Sequence, residues 1–161
     1  MADFPYIEPG ELTDGVVSLA LKRYTEDVDA AKQHVPFYEF DVIDVCSREV
    51  AGGLVLRAGY NPHIDNCAGN VGYGIDEKFR GMRYAARATA LASKFACVLG
   101  MPYLIITTKP DNAASAKTAV IAGYSYVGEA AVPEGDEMYA EGERTMSVFK
   151  LVLDRHDARW S

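Results

Sequence analysis

Apolar and polar residues alternate roughly with period two along residues 16–24 and 37–46, and these runs predict β-strands, as does 50–60 after them. Gly52-Gly53 inside the third run signals a bulge. Residues 69–76 and the apolar run 103–108 predict a fourth and a fifth strand, and residues 124–131 and 144–153 a sixth and a seventh. After the first strand, Thr25-Glu26-Asp27 reads as a helix start, with Thr25 as N-cap and acids in the first turn. Val35-Pro36 keeps that helix short. The clearest helix is 82–99, rich in Ala, Leu, Arg and Lys and closed by Gly100 and Pro102. Pro110-Asp111-Asn112 turns into another over 113–122, closed by Gly123. Residues 1–15 read as irregular, 61–68 as a polar loop, 132–142 as an acidic loop, and the tail after 153 is polar.

The predicted order is β-α-β-β-β-α-β-α-β-β. Antiparallel strands followed by alternating strands and helices predict an α/β fold, with a mixed central sheet of about seven strands and helices on both faces. A chain of 161 residues without repeat, linker or low-complexity segment is expected to form one domain over 1–161.

Composition narrows the function classes. With 49% apolar and 24% charged residues, the chain reads as a soluble globular protein. A formal charge of -7 argues against nucleic-acid binding and against docking on an anionic membrane surface. It suits a cationic substrate, or solubility alone. Cys46, Cys67 and Cys97 are odd in number and widely spaced, as expected for reduced thiols in the cytoplasm. The start Met1-Ala2-Asp3-Phe4-Pro5 lacks the basic and apolar regions of a leader, and no apolar run reaches the roughly 18 residues of a membrane span.

The charge is unevenly placed. Six of the sixteen Lys and Arg, and no Asp or Glu, fall between Lys78 and Lys109; ten against 23 acids remain, so this segment is +6 and the rest -13. Its start is a strand-to-helix corner, Ile75-Asp76-Glu77-Lys78-Phe79-Arg80-Gly81-Met82-Arg83. The corner is not a Rossmann turn, because Glu77 stands where the third Gly belongs, and the chain has no Walker loop and no Gly-x-Ser-x-Gly elbow. His34, His63 and His156 lie far apart; His63-Ile64-Asp65 with Cys67 offers metal-ligand residue types, but a polar surface loop is the simpler reading and no metal is expected. Two readings of the corner stay open. One is an anion site, with free helix N–H groups, close approach at Gly81, and Arg83 and Arg87 on the phosphate side. The other is a solvated basic helix face.

The run Gly72-Tyr73-Gly74 through Arg80-Gly81-Met82-Arg83-Tyr84-Ala85 resembles the acetyl-coenzyme A signature of the Gcn5-related N-acetyltransferase (GNAT) family, Arg/Gln-x-x-Gly-x-Gly/Ala after an apolar strand. Arg80 and Ala85 fill the first and last positions, and Arg83 stands where the pattern has Gly. Downstream, Pro110-Asp111-Asn112-Ala113-Ala114-Ser115 through Gly123-Tyr124 resembles the family's Pro-x-Asn-x-x-Ser…Gly-Phe segment. The resemblance covers about residues 13–153. It is nearest to the branch similar to ribosomal-protein N-terminal acetyltransferases, with Asn-x-x-Ser where other branches carry a Tyr seven residues after the Asn; here that position is Ala119.

The resemblance implies a single-domain acetyltransferase-like fold whose fourth and fifth strands splay, with acetyl-CoA as cosubstrate and a primary amine as acceptor. The pantetheine arm would lie in the splay against Tyr73, Gly74 and Ile75, and the pyrophosphate on the N–H groups from Arg80 through Gly81, Met82, Arg83 and Tyr84 to Ala85. A backbone N–H between Tyr73 and Ile75 would face the thioester oxygen. Ser115 would protonate the leaving thiolate, with Tyr73 or Tyr124 as phenols able to substitute, and Asn112 would bond or orient the pantetheine. An alkyl amine must lose a proton to attack, and Glu39 is the first candidate to take it, ahead of Asp41 and Asp44. Phe37, Tyr38 and Phe40 are candidate pocket walls. The six acids between Glu129 and Glu143 would flank the acceptor mouth and suit a polyamine, an aminoglycoside or a basic peptide N-terminus, unless they form only a solvated loop. A homodimer is implied by the resemblance alone. The alternative is a non-catalytic coenzyme A-binding sensor or interaction domain.

Overall fold

The computed structural model describes residues 3–153; the polar tail after 153, with His156, lies outside them. An antiparallel sheet of five strands runs in the order β1 (Leu12–Thr13), β2 (Val17–Thr25), β3 (Phe37–Asp44), β4 (Val50–Arg57), β5 (Val71–Ile75). Helix α1 (Tyr84–Leu99) crosses to a second antiparallel sheet, in which β8 (Thr145–Val152) lies between β6 (Tyr103–Thr108) and β7 (Ser125–Ala131). Helix α2 (Ala113–Ile121) joins β6 to β7, and the single turn α3 (Glu137–Ala140) lies between β7 and β8. This is the expected mixed α/β fold, with one strand more than expected and the sheet parted in two. No helix among the described residues is long and apolar enough to cross a membrane.

Strand alternation sorts the two faces. On β3, Tyr38, Phe40 and Val42 are fully buried, whereas Phe37, Glu39 and Asp41 lie on the opposite face. The buried face packs under α1, whose Ala88, Ala92 and Ala96 recur every fourth residue with no exposed surface. Gly100 closes α1 at φ 93, and its N–H bonds back to the Ala96 and Cys97 carbonyls. Leu104, Ile106, Phe149 and Leu151 of the second sheet join the same core, together with Ala119 of α2. The bulge signalled by Gly52-Gly53 is present as a register shift on β4, where Ala51 is skipped between the pairs Val42–Gly52 and Ile43–Val50.

Four local expectations are corrected. The helix after β2 is only a 3-10 turn, Ala30–Lys32, capped by Asp29 rather than Thr25. The Asp29 carboxylate and Thr25 Oγ1 bond to nearby N–H groups and so compete with a helix too short to repay its nucleation. Loop 61–68 holds a π-helical turn, Ile64–Ala68, which buries Ile64 and Cys67. The acidic loop contains α3, whose first N–H groups are capped by Asp136 Oδ1 at 2.8 Å from Met138 N. Residues 12–13 pair as β1 instead of running irregularly.

Asn70, which is fully buried, carries hydrogen bonds from the first sheet to the second. Its N–H donates to the Ile105 carbonyl at 2.7 Å and its Oδ1 accepts from Ile105 N at 2.9 Å. Its Nδ2 donates to the carbonyls of Arg57 at 3.0 Å and Gly59 at 3.1 Å. The preceding Gly69 has φ 73, and a Cβ there would stand 2.9 Å from the Ile105 carbonyl oxygen, so only glycine lets the sheets approach. Beyond this point β5 and β6 make no ladder with each other. Asn70→Ala would strand the Ile105 N–H and two carbonyls in the interior. A loss on the order of 3 kcal/mol is expected in urea unfolding, and a loss within experimental error would contradict the pivot.

Candidate active site

The antiparallel pairing of β5 with β4 turns alternate backbone groups toward the split. Asn70 O accepts from Arg57 N and Asp76 N donates to Ala51 O, so the even-numbered residues of β5 face β4. Val71, Tyr73 and Ile75 therefore present their N–H and C=O groups on the unpaired edge. The Ile75 carbonyl is taken by Arg80 Nε at 3.1 Å, which folds the corner back onto the strand. Among the described residues no acceptor pairs with the Tyr73 N–H on that edge.

At the end of the corner, α1 begins at Tyr84 rather than at the expected residue 82, because Arg83 adopts φ 59, ψ 26. This left-handed geometry suits glycine, and a non-glycine residue bears about 1–2 kcal/mol for it. Gly81 is also left-handed, at φ 84. No side chain caps the helix, so its first N–H groups point out from the corner with the positive end of the dipole. The Arg83 side chain has no hydrogen-bond or ion-pair partner among the described residues. Arg87, expected beside it, is instead paired with Asp14 at 2.8 Å. Asp44, a candidate base, belongs to the scaffold: it accepts from Ser47 and from the Tyr84 hydroxyl, and these bonds hold its carboxyl below the usual range. They tie the start of α1 to the end of β3.

Across the split, Asn112 caps α2 by accepting from Ser115 N at 3.1 Å, which occupies its Oδ1. The Tyr73 hydroxyl lies 3.1 Å from Ser115 Oγ, so two sequence-predicted residues on different elements meet. Burial pushes the Tyr73 phenol up, against the pull of Ser115 and Thr118, so it is protonated near neutral pH. Tyr124 is a core residue bonded to Ser93, and its burial likewise raises its phenol.

The opposite face of the first sheet carries a cleft of about 610 Å³. Glu39, Val55 and Arg57 form part of its floor, and His63, Glu137, Met138 and Glu141 part of its walls. Of the three aromatics expected as walls only Phe37 lines it; Tyr38 and Phe40 point the other way into the core. Glu39 pairs with Arg23 at 3.2 Å and also borders a smaller groove that reaches Asp41, Gly72, Tyr73 and Gly74. The acidic loop does reach the cleft, through Glu137 and Glu141, but Glu143 is paired with Lys109 at 3.1 Å. Arg57, donating to the Ala68 and Gly69 carbonyls, adds positive charge, so the lining carries both signs. Sequence reasoning missed Arg57 and the joining of His63 to Asp136, because no local spacing signals residues brought together from separate loops. Asp65, read next to His63, accepts from the Tyr103 hydroxyl instead.

Residues 7–125 match the acetyltransferase (GNAT) domain model. The chain belongs to the GNAT acetyltransferase family. No curated protein sequence matches it. Among solved structures it is similar to a proposed ribosomal-protein-serine acetyltransferase from Vibrio cholerae, at 15% identity and TM-score 0.64, covering 91% of this chain and all of that one. It is also similar to RimL, a ribosomal L7/L12 alpha-N-protein acetyltransferase solved with coenzyme A, at 20% identity and TM-score 0.55 over 74% of this chain and 63% of RimL. A third is the microcin C7 self-immunity acetyltransferase MccE with acetyl-CoA and AMP, at 16% identity and TM-score 0.54 over 73% of this chain and 61% of MccE. The GNAT chain thus spans less than two thirds of RimL and of MccE.

In this GNAT chain Arg83→Gly removes a left-handed non-glycine residue. The expected gain of about 1 kcal/mol raises the melting temperature by roughly 2–4 °C. A fall would show that the Arg83 side chain stabilises the corner by more than its backbone costs.

Proposed function

We propose that this chain transfers the acetyl group of acetyl-CoA to a primary amine by direct attack. The observation that carries the reading is the unpaired edge of β5 running straight into an uncapped helix start, with a phenol and a hydroxyl meeting across the split. The residues fit the coenzyme: the Tyr73 carbonyl and the Ile75 N–H would pair with the pantetheine amides, with Gly74 turned to β4 between them, and the N–H groups of Gly81, Met82, Arg83, Tyr84 and Ala85 would hold the pyrophosphate. Arg80 shapes the corner and adds charge at its rim. Asn112 acts here through its cap, which orients Ser115.

The Tyr73 N–H would stabilise charge on the thioester oxygen as the amine nitrogen attacks the carbonyl carbon. The carbon–sulfur bond then breaks, an amide forms, and the thiolate takes a proton from Ser115, whose oxygen is reprotonated from water through the Tyr73 hydroxyl. The proton lost by the amine passes to Glu39, directly or through water. Glu39 suits this role by bordering both the cleft and the groove that leads to Tyr73. Acidic side chains at the mouth favour a cationic acceptor, either a small amine, an amine-bearing antibiotic or a protein N-terminus. The likeness to ribosomal-protein acetyltransferases supports the last of these. One domain over 1–161 in the cytoplasm, with no nucleic-acid or membrane partner, completes the reading.

Acetyl-CoA at about 100 times its Kd should raise the melting temperature by roughly 5–10 °C. Arg80→Ala should reduce that shift. Ser115→Ala should keep it while slowing thiol release in the presence of an amine panel. A shift with no thiol release from any amine would leave a coenzyme-binding domain without catalysis, and no shift at millimolar ligand would remove the coenzyme site itself.

A further inference from the structure

Three segments far apart in sequence converge at the mouth of the large cleft. His34 comes from the connection between β2 and β3, His63 from that between β4 and β5, and Glu137 from α3. His34 Nε2 lies 2.7 Å and His63 Nε2 3.6 Å from the same oxygen, Glu137 Oε1. The donor atoms of all three lie within 4.8 Å of one another. We propose that His34, His63 and Glu137 form a binding site for one divalent cation of the zinc class, with its remaining coordination open to the cleft.

The groups that would orient these ligands are already in place. His63 is 4% exposed, and its Nδ1 lies 2.6 Å from Oδ2 of the buried Asp136. A carboxylate at Nδ1 fixes that nitrogen as the N–H donor and leaves the Nε2 lone pair free on the cleft side. At 3.6 Å from Glu137, Nε2 has no hydrogen bond. Gln33 holds the two histidine loops together: its carbonyl accepts from Asn61 Nδ2 at 2.8 Å and its Oε1 from His63 N at 3.1 Å.

The dimensions suit a tetrahedral ion. Bonds of about 2.0–2.2 Å place neighbouring ligand atoms roughly 3.3–3.5 Å apart. The His63–Glu137 separation of 3.6 Å is within about 0.1 Å of this, and His34 and Glu137 need to part by about 0.6–0.8 Å, which two partly exposed side chains can do. Two imidazoles and one carboxylate select zinc, cobalt, nickel or copper over magnesium or calcium, which take oxygen ligands. The neighbouring set His63, Cys67 and Asp136 is the weaker candidate, since it would break the His63–Asp136 bond and relies on the fully buried Cys67. A cation at the proposed site would clip three loops together over the cleft, whether or not acetyl transfer takes place beneath it.

The tag-free full-length chain, stripped with a chelator, is titrated with Zn(II), Co(II) and Mg(II). One equivalent of Zn(II) or Co(II) should bind and raise the melting temperature, the Co(II) form should absorb in the visible, and Mg(II) should do neither. His34→Ala and Glu137→Gln change half-exposed residues that the core does not need, and each should weaken Zn(II) binding at least tenfold. Asp136→Asn keeps a capping side chain for α3 and should weaken it by about 10–100-fold. Failure of the unaltered protein to bind a stoichiometric ion overturns the proposal, and so does undiminished binding by both His34→Ala and Glu137→Gln.

Discussion

Everything at the candidate site depends on where hydrogen bonding between the two sheets stops. Asn70 uses both main-chain groups and both ends of its side chain to join β4, β5 and β6 within the core. A buried amide so completely satisfied tolerates no displacement, because each lost bond strands a partner away from water. One residue later β5 follows β4 while β6 follows β8, and the edges part. An open strand edge is a liability in most proteins. Here it is short, five residues with two glycines among them.

The split also explains the corner that follows it. β5 ends at Ile75 and α1 starts at Tyr84, and the residues between, which include a 3-10 turn at Glu77–Phe79, carry the chain from the sheet edge into the helix. Arg80 secures the turn to Ile75, Tyr84 is anchored on Asp44, and Arg87 on Asp14. These contacts hold Arg83 in a conformation that its own side chain disfavours. Local strain sustained by surrounding structure is what a preorganised binding loop shows. The split edge and the helix start thus form one continuous surface, rich in backbone donors and reached from two faces.

Much of this was legible in the sequence. Alternation marked the major strands, and the Ala-rich run with Gly100 marked α1. The corner motif and the Asn-x-x-Ser motif pointed to Tyr73 and Ser115, which meet at hydrogen-bond distance. What escaped was the work of tertiary contacts. Arg87 reads as a free cation until Asp14, 73 residues away, is seen beside it. Thr25 reads as an N-cap until β2 is seen to extend through it. Period two marks Phe37, Tyr38 and Phe40 as strand residues but does not say which face is the core. The His63–Asp136 pair spans 73 residues and has no sequence signature.

The central claim is that the β5 edge and the start of α1 are one coenzyme seat. Amide hydrogen exchange with and without acetyl-CoA tests it most directly, residue by residue. Bound coenzyme should slow exchange at the Tyr73 and Ile75 N–H groups and at residues 81–85, and leave the β4-facing N–H groups of Gly72 and Gly74 nearly unchanged. Protection confined to another surface, or spread evenly over the chain, would contradict the account.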